Sequence, residues 1–247
     1  MIIAFSSVKG GVGKTSSCCN LAYFFANKGK RVLVVDFDCQ GGATHHLSAK
    51  FEKKFKASLG DILKGKFKPE YGIHEYGKNL DLIPISFNFY EIASTNFEDK
   101  LKEIVVDFDK KYDFIFFDLA PSVYPGTIIP LALSNYAIVP VDCPGGLSLL
   151  GLQSEEEIIA QLRKNKKSSV ELLGVLPCFF DRTKMSQDVM AFLERNYKKY
   201  LLPSVRRNTH ISQASSIGKT IFEYKPSSNG AKDYAKVGSE IIKRLNF

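Results

Sequence analysis

The stretch that decides the fold is "IIAFSSVKGGVGKTSS", residues 2–17. Its opening "IIAFSS" (2–7) reads as a buried strand, and "SSCCNLAYFFANKG" (16–29) reads as a helix with Gly29 as its C-cap. Between them lies a glycine-rich turn. Strand, loop and helix in this order are the context that the phosphate-binding pattern G-x-x-x-x-G-K-[ST] requires. Gly10, Gly11 and Gly13 let the backbone bend tightly and approach phosphate oxygens. The successive N–H groups from Lys9 through Val12 to Ser16 then form an anion-binding nest at the helix N-terminus. Lys14 is expected to bridge the terminal phosphates. The Thr15 hydroxyl is expected to ligate Mg²⁺, which keeps several waters and uses few protein ligands. A ligand-free glycine turn is the competing account, and the lysine and threonine at these spacings argue against it. One departure stands out. The pattern's first glycine is replaced by Val8, and a second lysine, Lys9, follows. A strand running one residue further would absorb Val8.

Working outward, short apolar runs alternate with amphipathic ones. Strands are expected at 2–7, 31–38, 80–85, 113–120, 136–142 and 171–180. Helices are expected at 15–28, 90–110, 148–166 and 185–200. Several strands are apolar on both faces, as in a parallel sheet covered on both sides. The alternation predicts an α/β fold with a doubly wound, mostly parallel sheet of the P-loop NTPase kind, built as one domain over 1–247. The lysine-rich stretch 48–79 is expected to supply short helices and loops on the rim.

In such sheets ligands bind beyond the carboxyl ends of the strands. "VVDFDCQGG" (34–42) and "FIFFDLAPS" (114–122) place Asp36, Asp38 and Asp118 there. Asp118 closes an apolar run, where an unpaired carboxylate is costly and hydrated Mg²⁺ would give it a partner. Asp36 and Asp38 alternate along a strand end, so one faces the phosphates while the other serves the structure. A strand-end cap is the plainer role for any one of them.

Composition narrows the rest. Of 247 residues, 45% are apolar and 24% charged, an ordinary globular balance. The net charge of +8 and isoelectric point near 9.1 favour a polyanionic partner. The five cysteines form no C-x-x-C pair and lack zinc spacing to a histidine, so free thiols in a reducing cytosol are expected. His45 and His46 are expected to be a solvated loop pair. No signal peptide and no membrane-length apolar run is visible, so the chain is expected to be cytoplasmic.

"KGGVGKTS" (9–16), "DFDCQGGAT" (36–44), "DFIFFDLAPS" (113–122) and "VRRNTHISQASSIGKTIFEYKPSSNGAKDY" (205–234) together resemble the ParA/MinD group of deviant Walker-type ATPases. The resemblance runs through nearly the whole chain in order. It implies ATP and Mg²⁺ as cofactors. It makes Lys9 the signature lysine that reaches a dimer partner's nucleotide, and Asp38 the aspartate that positions the hydrolytic water. Asp36 and Asp118 become the carboxylates on the magnesium side, and Asn208 the asparagine beside the adenine. It implies an ATP-dependent homodimer that binds duplex DNA without sequence preference, associates with the nucleoid, and is turned over by a ParB-like partner during plasmid or chromosome segregation.

Three positions depart from the family pattern. Cys39 stands for a proline, Arg206 for a proline near the base, and His210 for an arginine linked to DNA. Arg182, Lys184, Arg206, Arg207 and Lys219 are candidates to compensate, unless they form an ordinary solvated face. The alternative is a MinD-like membrane-associated ATPase. The tail "YAKVGSEIIKRLNF" (234–247) instead keeps the apolar spacing of a helix docked on the sheet. An iron–sulfur reductase is disfavoured, because "LAPSVYPG" (119–126) supplies no cysteine. The chain starts directly at the first strand, which argues against a preceding operator-binding domain.

Overall fold

The computed structural model describes residues 1–49, 55–85, 97–165 and 168–247. Its strands are β1 (Ile2–Phe5), β2 (Val32–Asp36), β3 (His74–Gly77), β4 (Leu80–Ile83), β5 (Phe114–Asp118), β6 (Tyr136–Asp142) and β7 (Glu171–Cys178). They form one sheet in the order β3-β4-β2-β5-β1-β6-β7, parallel except at the edge, where β3 runs antiparallel to β4. The described helices are α1 (Lys14–Asn27), α2 (Gly42–His46), α3 (Leu59–Leu63), α4 (Phe97–Asp109), α5 (Pro125–Leu133), α6 (Ser148–Lys164), α7 (Lys184–Asn196), α8 (Thr209–Ser216), α9 (Ile221–Tyr224) and α10 (Asn229–Arg244).

Alternate strand residues point to opposite faces, and here both faces are covered. Ile3, Phe5, Val32, Val34, Phe114 and Phe116 pack under α1 and α10. Ile2, Ala4, Leu33, Val35, Ile115 and Phe117 pack on the other side, against α4 and α6. This is the doubly wound sheet that the strand–helix alternation predicts. Phe25 anchors α1, with ring centroids 4.8 Å from Phe114 and 5.5 Å from Phe116. Helix α1 ends as expected, with Gly29 at φ 85 and its N–H bonded to Ala26 O at 2.9 Å.

The structure departs from expectation at several places. β1 stops at Phe5, so it does not run on to absorb Val8. β2 stops at Asp36, so Asp38 lies beyond the strand and alternation does not govern it. The stretch 48–79 holds helix α3 but also strand β3, in which only Tyr76 is buried. An edge strand with so polar a surface carries no hydrophobic alternation to read. His46 is no solvated loop residue. It ends α2 fully buried, while its neighbour His45 is exposed. Helix α5 was not anticipated because Pro125 and Pro130 interrupt its pattern, although proline suits a first helical turn. Residues 50–54, 86–96 and 166–167 lie outside the described residues, and with them the start of the expected helix 90–110 and the end of that at 148–166.

The last helix docks as its spacing predicts. Tyr234, Val237 and Ile241 are buried. Arg244 donates to the carbonyls of Leu173 and Tyr200 at 3.0 Å each and of Leu201 at 2.6 Å. No described helix is long and apolar enough to cross a membrane.

Candidate nucleotide-binding site

Strand register builds the site. Phe5 lies opposite Asp118, and Asp118 lies opposite Asp36. The loop after β1 therefore leaves the sheet beside two carboxylates. Gly11 and Gly13 turn it with φ of 75 and 95. At Gly13 a Cβ would also come 3.2 Å from Cys178 Sγ, so both conformation and space demand glycine there. Gly10 is under neither constraint: its φ is not positive and the nearest atom to a Cβ would be 3.9 Å away.

The Thr15 hydroxyl, in the first turn of α1, donates to Asp118 Oδ2 at 2.7 Å. Asp118 Oδ1 is buried and meets no hydrogen-bond partner among the described residues. Burial, and then the charge of Asp36, push the Asp118 carboxyl well above the usual carboxylate range, while Thr15 and Lys14 pull it back. Asp36 is as deeply buried but saturated. It accepts from the Thr44 N–H at 2.8 Å, the Thr44 hydroxyl at 2.7 Å and the Asp38 N–H at 3.0 Å. Burial raises its pKa to about 6 against those donors. Asp36 thus holds the start of α2 against the site, where a Cβ on Gly42 would lie 3.1 Å from the Thr15 side chain.

The two lysines diverge. Lys14 is 6% exposed and folds back across its own loop, donating to the Lys9 carbonyl at 3.1 Å. Burial lowers its pKa, and Asp118, Asp38 and Glu155 oppose that shift. Lys9 points outward, with Nζ 3.7 Å from Asp142 Oδ2 at the end of β6. Asp38 accepts from the Gln40 N–H at 3.0 Å and stays partly open to solvent.

A cation belongs here on physical grounds. Two fully buried carboxylates face each other, and one oxygen has no donor. The donors are oxygens, and among the described residues no three His, Cys, Asp or Glu side chains cluster as ligands. An ion that keeps most of its water, as Mg²⁺ does, fits that set.

Beside the loop a cavity of about 210 Å³ is lined by Gly13, Ser16, Cys178, Phe179, Asn208 and Tyr234 among others. Asn208 is thus on the wall of a base-sized space, with its Oδ1 capping α8 through the His210 N–H at 2.9 Å. Phe179 and Tyr234 escape sequence reading. Phe179 holds a left-handed φ of 55, which no motif encodes.

The basic candidates separate. Arg182, Arg206 and Arg207 line one open depression with Asp181 and His210. Lys184 begins α7, whereas Lys219 lies beyond the far end of α8, next to Gly218, whose carbonyl accepts from the Ala49 N–H at 3.0 Å. Arg206 is bound to Asp233 by two bonds of 2.7 and 2.8 Å, and Arg207 Nε is 3.5 Å from Asp181. Lys225 Nζ lies 3.1 Å from His210 Nε2. An ammonium can only donate, so His210 accepts there and carries its proton on Nδ1, 3.1 Å from Asn208 Oδ1.

Fold and loop define a P-loop nucleotide-binding α/β protein with acidic groups under the loop. The family model described as an AAA domain matches residues 1–172. The chain is 33% identical over 246 residues to the chromosome-partitioning ATPase Soj of Thermus thermophilus, covering 98% of this chain and 96% of that one. It is 31% identical over 252 residues to the sporulation initiation inhibitor protein Soj of Bacillus subtilis, covering 97% of each. The septum site-determining protein MinD of Pyrococcus horikoshii, solved with Mg-ADP, superposes with a TM-score of 0.81 at 25% identity, over 99% of this chain and 96% of that one. The chain belongs to the ParA/MinD family of P-loop ATPases. The expected cofactors, ATP with Mg²⁺, are in keeping with the MinD structure, which holds Mg²⁺ and ADP, the product of ATP hydrolysis.

Proposed function

We propose that this protein is a ParA-type partitioning ATPase, one domain over 1–247, that couples MgATP binding to dimer assembly and to sequence-independent DNA binding. The observation that carries the proposal is the divergence of the two lysines. Lys14 closes its own phosphate nest, while Lys9 leaves it and pairs with Asp142, from which a second subunit's nucleotide would draw it.

In this reading the backbone N–H groups from Gly10 to Ser16 hold the β- and γ-phosphates, and Lys14 neutralises them. Thr15 and Asp118 hold Mg²⁺, which supplies charge neutralisation on the phosphate oxygens. Asp36 acts one shell out by fixing Thr44 and the Asp38 N–H. Asp38 orients the attacking water, and Asn208 faces the base. Of the five basic candidates, Arg182, Lys184 and Arg207 are the DNA-facing set, while Arg206 is held by Asp233 and Lys219 stands apart beyond α8. A ParB-like protein stimulates turnover in the cytoplasm, at the nucleoid. The relationship to Soj proteins along almost the full chain supports partitioning. The buried apolar face of α10 supports DNA rather than a membrane as the surface used.

Size-exclusion light scattering and duplex binding, each with ADP, with ATP and with an Asp38→Ala variant, test the proposal. ATP should give a dimer that binds mixed-sequence duplex, and the variant should accumulate it. A monomer under every condition refutes the assembly.

A further inference from the structure

The segment entering the phosphate loop is held from outside by α6. Glu155 is only 2% exposed. Its carboxylate accepts from the Ser6 hydroxyl, the Val8 backbone N–H favours its charged form, and its charge acts on Lys14. One turn earlier on the same helix face is Gly151. A Cβ there would sit 3.4 Å from Lys9 Cβ, 3.7 Å from Val8 Cγ2 and 3.8 Å from Ser7 Oγ. Gly151 therefore lets the chain lie against the helix, and Glu155 bonds it in place.

A buried carboxylate is an expensive way to fill space, since a leucine of similar size would pack without desolvation cost. What leucine lacks is an acceptor for the Ser6 hydroxyl and a negative charge beside the Val8 N–H. Both groups lie in the three residues that lead into Lys9. The Lys9 carbonyl in turn receives Lys14 Nζ at 3.1 Å. The position of both lysines is thus referred to one side chain on a helix 149 residues further along the chain. Val8 is tolerated in place of glycine because its φ is not in the left-handed region.

We propose that Glu155 is a positioning residue for ATP hydrolysis, fixing Ser6–Val8 so that Lys9 and Lys14 leave the loop in the arrangement the reaction uses. The inference rests on the ATPase reading of the site. Glu155 itself touches no reacting atom.

Glu155→Leu, Glu155→Gln and Ser6→Ala test it, each followed by single-turnover ATP hydrolysis, ATP affinity, thermal midpoint and amide exchange in the nucleotide-free protein. Glu155→Leu should slow hydrolysis about tenfold or more, with affinity within about threefold, because a misplaced group costs rate before binding. Its midpoint should not fall, since an apolar replacement of a buried charge is often neutral or stabilising. Exchange of the amides from Ser7 to Gly10 should speed up. Glu155→Gln and Ser6→Ala should each lose less, and their combination should be non-additive. Should Glu155→Leu fail to fold, the two milder variants decide by the same criteria. Wild-type rates and exchange in the variants overturn the inference, as does a rate loss that merely follows the thermal midpoint. A wild-type protein that hydrolyses no ATP overturns the ATPase reading itself, and this inference with it.

Discussion

His46 shows how one side chain can set a pH limit on the fold. It is fully buried at the end of α2, and neither ring nitrogen has a hydrogen-bond partner among the described residues. Burial, then the nearby His45, push its pKa down to about 4, with Glu223 opposing. The unfolded chain holds this group near its ordinary value of about 6.5. Between those values the unfolded state binds the extra proton, so acid favours unfolding. The stabilisation is intact above about pH 6.5 and disappears as pH falls toward 4. The full loss is about 3 kcal/mol, of which about 2 kcal/mol is gone by pH 5. Thermal midpoints measured from pH 7 to pH 5 should fall in the wild type and fall less in His46→Leu, which keeps the volume without the titration. Parallel curves would remove His46 as the cause.

At the scale of elements, α10 depends on a feature that its amphipathic stripe does not reveal. The stripe buries Tyr234, Val237 and Ile241. The helix is then locked at its end by Arg244, which satisfies three carbonyls near β7 and the segment after α7. Arg244→Met keeps the aliphatic stem and removes the guanidinium's three bonds, although the Tyr200 carbonyl keeps the Val175 N–H at 2.8 Å. It should cost about 2 kcal/mol in chemical denaturation, at the scale of hydrogen bonds to a charged group. An unchanged denaturation midpoint would mean that water replaces the guanidinium without loss.

The same contrast explains what the sequence could reveal. Periodicity reports which face of an element is buried, so β1, β2, β4 to β7, α1, α4, α6, α7 and α10 were legible. The loop and its aspartates were legible because their chemistry requires fixed residue types at fixed spacing. β3 was hidden because its outward residues are polar, and α5 because its prolines mask a helical pattern. Glu155 was hidden for another reason. Its partners are far away in sequence, and one glutamate on an amphipathic helix looks like solvent-facing charge until tertiary structure places it beneath the loop.

Across the whole molecule, charge type and charge availability part company. The net charge is +8, and five cations near the C-terminal half were expected to face DNA. Arg206, however, is committed to Asp233, which is 3% exposed, by a two-pronged bond. That pair joins the segment before α8 to α10, and breaking it strands a buried carboxylate. Arg182 is exposed at the mouth of the same depression, with its side chain outside that pair. The two arginines should therefore behave differently on duplex DNA. Each phosphate neutralised contributes about 0.9 to the slope of log affinity against log salt. With ATP present, Arg182→Ala should make the slope shallower by about 0.9, at unchanged thermal midpoint. Arg206→Ala should lower the midpoint and leave the slope as in the wild type. If instead Arg206→Ala removes the slope and Arg182→Ala does not, Asp233 releases its partner when DNA binds, and the exposed charge at Arg182 is an ordinary solvated face.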